Sequence, residues 1–201
     1  MATIDLVVFD MDGVLADLCE IHRLALRSAL SYYGFIITPE DEAALEGRPT
    51  WVKLQELGIH EWCRDPVATL KQRETLRYLA GLKPDAERVA ALKSLRDQGI
   101  ATALYTNSIR QTAETAMYNL GLASYFDLII SNQDVSAPKP DPEGYTRAMS
   151  DLCVLPQRTL IVEDSDVGIE AATLSGAHVV RVSSPSEVTA SNLNKWISAC
   201  I

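Results

Sequence analysis

A chain of 201 residues with 47% hydrophobic and 22% charged side chains is long enough to bury a full core and too apolar to stay disordered. Its 27 acidic against 18 basic side chains give a formal net charge of −9, which excludes bulk binding of nucleic acid or of an anionic membrane surface, since both need a positive field. A small anionic substrate stays open, because it needs only local cations or a metal.

Cys19, Cys63, Cys153 and Cys200 lie far apart with no CxxC pair, and read as reduced thiols rather than as a disulfide or zinc framework. The opening MATIDLVVFD has no basic segment ahead of an apolar one, and no apolar run is long enough to span a bilayer. The expected location is the cytoplasm.

The first strand is expected over residues 4–9, running into VVFDMDGV. It delivers Asp10 and Asp12 one residue apart at the end of a buried run. Like charges so placed repel, and each is costly to desolvate unless something cationic is near. The stretch predicts a metal ion, a reaction, or both.

From 16 to 81 the pattern is helical throughout. Residues 17–33 form an amphipathic helix, and Thr38-Pro39 and Asp65-Pro66 each read as an N-cap followed by proline. So long a helical insert exceeds a crossover and predicts a small helical domain over the carboxyl ends of the strands, where open α/β sheets bind ligands.

Beyond residue 82, apolar runs at 100–106, 127–131, 159–162 and 178–182 alternate with helical segments at 85–98, 108–120, 141–151 and 165–175. The runs are continuous rather than alternating, as in strands covered on both faces. Gly99, Gly121 and Gly176 suit helix C-caps, Asp141-Pro142 an N-cap and first turn, and Ser184-Pro185-x-Glu187 a capping box for a last helix over 184–201. The expected fold is α/β: a doubly wound parallel sheet, with residues 1–15 and 82–201 as the catalytic core and 16–81 as a helical cap inserted after the first strand.

Three further strand ends carry polar residues. Thr106-Asn107-Ser108 puts hydroxyl and amide groups at a helix start, as a plain N-cap or as a seat for a phosphate oxygen. Lys139 sits between Pro138 and Pro140, which fix where its side chain points. Glu163-Asp164-Ser165-Asp166 opens a helix; one acid suits a cap, and the others beside it suggest a hard-cation site. Gathered at one sheet edge, these groups read as a Mg²⁺-dependent phosphoryl-transfer site.

The motifs DMDGV, TNS, KPDP and EDSDVGIEAA, in order over residues 10–172, resemble the four signature motifs of the haloacid dehalogenase superfamily. The helical insert resembles that family's small cap, and the chain is most similar to the β-phosphoglucomutase and sugar-phosphate phosphatase subgroup. The resemblance implies that Asp10 attacks phosphorus to form an aspartyl-phosphate and that Asp12 shuttles the proton. It implies Mg²⁺ on the side chains of Asp10 and Asp164 and the carbonyl of Asp12, with Glu163 bound to it or just behind. Thr106, Asn107 and Lys139 make the phosphate-binding set. Dehalogenases and P-type ATPases lack the second acid, so Asp12 points to the phosphatase and mutase branch.

Asp166 is expected in an exposed structural role at a helix start. In the cap, Arg48 in EGRPT is a candidate substrate contact, and His22 either approaches the catalytic acid or is an ordinary helix histidine. Trp51 is expected in the cap core and Arg77 on a solvated helix face. Asp10, Asp12, Lys139 and Asp164 are all intact, which favours an enzyme over a protein that only holds a phosphorylated ligand. The expected function is Mg²⁺-dependent hydrolysis of a small phosphorylated metabolite, most naturally a sugar phosphate, by a monomer or weak homo-oligomer. The alternative is a β-phosphoglucomutase-like mutase. That enzyme's cap arginine lies three residues after the glycine, where this chain has Thr50.

Overall fold

A computed structural model describes residues 4–200; residues 1–3 and 201, the outer ends of the expected core, lie outside the described residues. Five short parallel strands form one sheet in the order β3-β2-β1-β4-β5. They are β1 (Leu6–Phe9), β2 (Ala101–Tyr105), β3 (Leu128–Ile130), β4 (Thr159–Glu163) and β5 (His178–Arg181). β1 is central, in register with β2 (Phe9 beside Leu104) and with β4 (Phe9 beside Val162). The chain order reverses at β1, so the switch-point crevice of a doubly wound sheet opens where Asp10 follows Phe9.

The continuous apolar character of the strands follows from burial on both faces. Val7 and Phe9 point into one core with Leu92, Leu95, Met117 and Leu193; Leu6 and Val8 point into the other with Tyr105, Tyr145, Met149 and Ala172. Helices α5 (Ala86–Asp97), α6 (Arg110–Asn119) and α9 (Ala190–Ala199) supply the first face, and α7 (Glu143–Asp151) and α8 (Asp166–Leu174) the second.

Four helices intervene between β1 and α5: α1 (Cys19–Tyr32), α2 (Pro39–Ala44), α3 (Thr50–Glu56) and α4 (Glu61–Leu79). α1, α3 and α4, with Ile59 between the last two, share their own apolar cluster of Leu26, Ala29, Leu30, Leu54, Ile59, Cys63 and Val67. Their two chain ends, Leu18 and Leu79, pack instead into the core of the sheet. No helix among the described residues is long and apolar enough to cross a membrane.

Several boundaries differ from the sequence expectation for local reasons. Thr38 does cap α2 with a reciprocal Asp41 bond, but Asp65-Pro66 opens no helix. α4 starts at Glu61 and runs through Pro66, which forgoes only one intrahelical bond early in a helix anchored by Cys63 and Val67. α7 begins at Glu143, one residue past Pro142, while Asp141 Oδ1 accepts from the Glu143 N–H at 2.9 Å. Ser184-Pro185 opens a short 3₁₀ turn; Glu187 reaches the Ser183 N–H at 2.7 Å, and Thr189 caps the last helix. Trp51 is 57% exposed rather than cap core, because Leu54 fills the inward position of α3.

Candidate active site

The ends of β1, β2 and β4 and the loop after β3 converge on a cavity of about 540 Å³ between the sheet edge and the inserted helices. Asp10 begins where β1 stops, its N–H still bonded to the Val162 carbonyl at 3.0 Å. Gly13 then takes φ +78°, a left-handed conformation that side-chain-bearing residues rarely adopt, and a Cβ there would fall on the Asp164 carboxylate. The turn brings Met11, Asp12 and Asp164 together.

Lys139 is the electrostatic centre. Its Nζ donates to Asp10 Oδ1 at 2.6 Å, to Glu163 Oε1 at 2.6 Å and to the Tyr105 carbonyl at 3.1 Å. The rings of Tyr105 and Tyr145 flank it, at 4.8 and 5.0 Å from their centroids. Burial would drive a proton off this ammonium, but Asp10 and Glu163 hold its pKa well above the ordinary value. Glu163 is wholly buried: Oε1 also accepts from Tyr145 Oη at 3.0 Å, and Oε2 from the Asp164 and Ser165 N–H groups at 2.8 and 3.0 Å. Burial would raise its pKa, yet Lys139 and those N–H groups bring it below the usual range. Only glycine fits at 168, because a Cβ there would overlap this carboxylate.

Asp10 fares differently. Burial pushes its pKa well above the ordinary range, Lys139 offsets part of that, and Glu163 and Asp12 push it further up. Asp164 is raised to about 7 by burial and by Glu163, and its carboxylate receives no hydrogen bond from another described residue. One oxygen from each of Asp10, Glu163 and Asp164 lies within 4.8 Å of the others. Hard oxygen donors with too little positive charge among them fit a divalent cation.

Asp12 lies on the other side. His22 Nε2 is 3.2 Å from its Oδ1, and Ser108 Oγ is 3.4 Å from its Oδ2. Lys71 Nζ, which can only donate, sits 3.2 Å from His22 Nδ1. The imidazole is therefore neutral, with its proton on Nε2 toward Asp12; burial, the largest influence, also lowers its pKa. Burial would raise Asp12, but His22, with Lys71 and Lys53 behind it, holds the carboxyl below its usual range.

Thr106 is buried at the end of β2, and its Oγ1 accepts from the Ser108 N–H at 3.0 Å. It does not cap α6, which starts at Arg110 after Ile109. Asn107 ties three segments together: Oδ1 accepts from the Lys139 N–H at 3.1 Å, and Nδ2 donates to the Gly47 carbonyl at 2.9 Å and the Lys139 carbonyl at 3.3 Å. Arg48 lines the cavity but its guanidinium is engaged by Glu56 on α3. Asp166 is exposed and paired with Arg181, and Arg77 lies exposed beside Glu74.

The sequence reading did not pick out Lys53, Lys71, Tyr105 or Tyr145. The two tyrosines lie unmarked within the apolar run at 100–106 and the helical segment at 141–151. Lys53 and Lys71 look like any helix lysines, and only the packing of α3 and α4 over the sheet brings them to the cavity.

Comparison with known proteins agrees with this picture. The family model for haloacid dehalogenase-like hydrolases matches residues 7–182. Fructose-1-phosphate phosphatase YqaB of Escherichia coli is 32% identical over 180 residues, covering 88% of this chain and 95% of that protein. A phosphorylated carbohydrates phosphatase of Thermotoga maritima is 32% identical over 174 residues, covering 85% and 81%. The crystal structure of β-phosphoglucomutase from Clostridium difficile superimposes with a TM-score of 0.85 at 21% identity, covering 98% of each chain, a likeness of fold.

Proposed function

The chain belongs to the haloacid dehalogenase-like hydrolase family, and on that premise we propose that it is a phosphatase of small phosphorylated metabolites, sugar phosphates foremost, working through an aspartyl-phosphate. The observation that carries this reading is the division of labour between two acids one residue apart. Lys139 holds Asp10 Oδ1 at 2.6 Å, while Asp12 stands beside a neutral His22 at 3.2 Å. One is fixed for attack and the other is loosely held for proton exchange.

In the first step the free oxygen of Asp10 forms a bond to phosphorus, and the bond from phosphorus to the ester oxygen breaks. The electron pair stays on that oxygen, which takes a proton from Asp12. His22, Lys71 and Lys53 hold that carboxyl ionised before substrate binds, so Asp12 draws this proton from the phosphomonoester monoanion that docks beside it. In the second step Asp12 removes a proton from water as the water oxygen bonds to phosphorus. The bond to Asp10 then breaks, releasing phosphate and restoring the carboxylate. Lys139, Thr106 and the backbone N–H of Asn107, with the N–H groups of the Met11–Asp12 turn, hold the phosphoryl oxygens as charge shifts among them. The Asn107 side chain, whose donors are engaged, braces the loop that carries Lys139.

Asp10 and Asp164, with the Asp12 carbonyl, are the residues that would hold Mg²⁺. Bound there, the cation supplies the positive charge that lets an anionic phosphate approach a carboxylate. Glu163, both of whose oxygens are already engaged, orients Lys139 and the Asp164 backbone. Helices α1–α4, the segment 16–81, act as the cap that excludes water from the leaving group.

The test is a phosphate-release screen over sugar phosphates and other small monoesters, with Mg²⁺ or with chelator. Release that needs the metal and disappears in Asp10→Asn is the expected result. A clean preparation that releases phosphate from no ester would overturn the proposal.

A further inference from the structure

Two cations in the cavity have no part in the chemistry just described. Lys53 on α3 and Lys71 on α4 both line it, on the side of Asp12 rather than of Asp10. Each arginine that lines the same cavity has an acidic partner: Arg23 is held by Glu20 and Arg181 by Asp166, both at 2.5 Å, and Arg48 by Glu56. Lys71 Nζ meets His22 Nδ1 at 3.2 Å and no acid. Among the described residues Lys53 has neither a hydrogen bond nor an ion pair from its ammonium.

The acids near Lys53 leave it uncompensated. Glu46 is exposed to solvent, Glu42 is paired with Arg27 at 2.5 Å, and the single charge of Asp12 is shared with Lys71. Burial lowers the pKa of both lysines, and the charge of Lys53 helps bring Lys71 down to about 8. Two partly desolvated like charges beside one another are unfavourable unless an anion joins them. Asp12 protonates the departing oxygen, so cations clustered around Asp12 face the leaving group and not the transferred phosphoryl group.

We propose that Lys53, with Lys71 beside it, forms a second anionic subsite that selects phosphomonoesters whose leaving group carries a further phosphate or a carboxylate. The proposal names a substrate class for the phosphatase reading above and rests on it for the orientation of the ester. Lys53 is the specificity-determining residue. Lys71 also contacts His22, so its removal would disturb Asp12 as well, whereas Lys53 touches none of the reacting groups.

Equilibrium binding in the presence of Mg²⁺ to protein carrying Asp10→Asn, which does not turn over, provides the test. Fructose 1,6-bisphosphate is compared with fructose 1-phosphate, and 3-phosphoglycerate with glycerol 3-phosphate, so that phosphate and carboxylate are read separately. A charge-assisted contact predicts a preference of about 10- to 100-fold for the doubly anionic member of at least one pair. Lys53→Met should reduce that preference to within about twofold, and Lys53→Arg should keep most of it, an outcome that a merely structural role would not give. The subsite is overturned if neither pair shows a preference, if the preference survives Lys53→Met, or if Lys53→Arg loses it as fully as Lys53→Met with an unchanged melting temperature. Preferential binding by a protein that hydrolyses no ester would support the subsite and overturn the phosphatase reading alone. Hydrolysis without a charge preference would do the reverse.

Discussion

His22 Nε2 stands 3.2 Å from Asp12 Oδ1, and the lysine on its far side settles which nitrogen bears the proton. A neutral imidazole packed against Oδ1 positions Asp12 without competing for the proton that it passes on. Replacing His22 with alanine should lower kcat for alkyl phosphates by about 10- to 100-fold, less than the ~10²–10⁴-fold expected for removing the acid itself in Asp12→Ala. With p-nitrophenyl phosphate, whose leaving group needs no proton, Asp12→Ala should release about one equivalent of nitrophenol and then stall. A rapid-mixing experiment reads this directly; undiminished steady turnover would remove Asp12 from the second step.

Asp10→Asn preserves shape but takes away the attacking oxygen's charge and one of the two carboxylates that hold Lys139. Turnover should fall by several orders of magnitude, about the loss seen when a covalent nucleophile is deleted. Since Glu163 and the Tyr105 carbonyl still bind Lys139 Nζ, the melting temperature should change little. Substantial activity in this variant would end the aspartyl-phosphate scheme.

Much of this site was legible because its chemistry sits at strand ends, and strand ends are where continuous apolar runs stop at polar residues. Asp10, Thr106, Lys139 and Asp164 were found in that way, and their convergence follows from a parallel sheet with β1 at its centre. Lys53 and Lys71 were not legible. Their helices carry no clear apolar stripe in sequence, and the direction in which they face is decided by how Leu54, Val67 and Leu30 pack against one another. Trp51 failed for the same reason: a large aromatic was assumed to fill a core that Leu54 already occupied. Pro66 misled because a proline several residues into a helix looks, locally, like one that opens it.

Removal of metal should be visible without any substrate. Asp10, Glu163 and Asp164 converge around a single ammonium, so a divalent cation that binds the folded protein should raise its melting temperature as its concentration rises. Mg²⁺ titrated into chelator-treated protein, followed by differential scanning fluorimetry, checks this. An unchanged melting temperature, or activity that survives exhaustive chelation, would show that these oxygens bind no cation.

Acid stability should depend on a cluster away from the chemistry. Asp134 accepts from Arg110 Nη2 at 2.6 Å, Ser131 Oγ at 2.6 Å and the Ser131 N–H at 2.8 Å. Burial would raise its pKa, but these partners bring it down to about 2. A carboxyl lowered by folding binds its proton more readily when unfolded, so its stabilisation is present above about pH 4 and lost as pH falls toward 2. Asp134→Asn should cost about 1 kcal/mol at neutral pH, after allowance for solvent screening, and the difference from the parent should vanish near pH 2. Denaturant unfolding at several pH values measures both; a gap that persists at the lowest pH would mean packing rather than charge.

Hydrolysis and mutase chemistry part at the cap. A mutase must hold a bisphosphate while one phosphoryl group rests on Asp10, turn the sugar around, and exclude water throughout. That calls for a second anchor able to fix direction as well as charge, which an arginine fork does and an ammonium does not. Here Thr50 stands where the mutase arginine would be, and Arg48, in the loop before α3, is turned to Glu56 at the end of that helix. Lys53 is a point charge on a flexible stem, suited to attracting an anionic leaving group but not to gripping it through a reversal. Water is then the simpler acceptor, and net phosphate release is the expected outcome. Supplying β-glucose 1-phosphate with catalytic glucose 1,6-bisphosphate and following both products decides it. Efficient glucose 6-phosphate formation with little inorganic phosphate would show that the cap holds the intermediate well enough to return it, and would make the mutase the better reading.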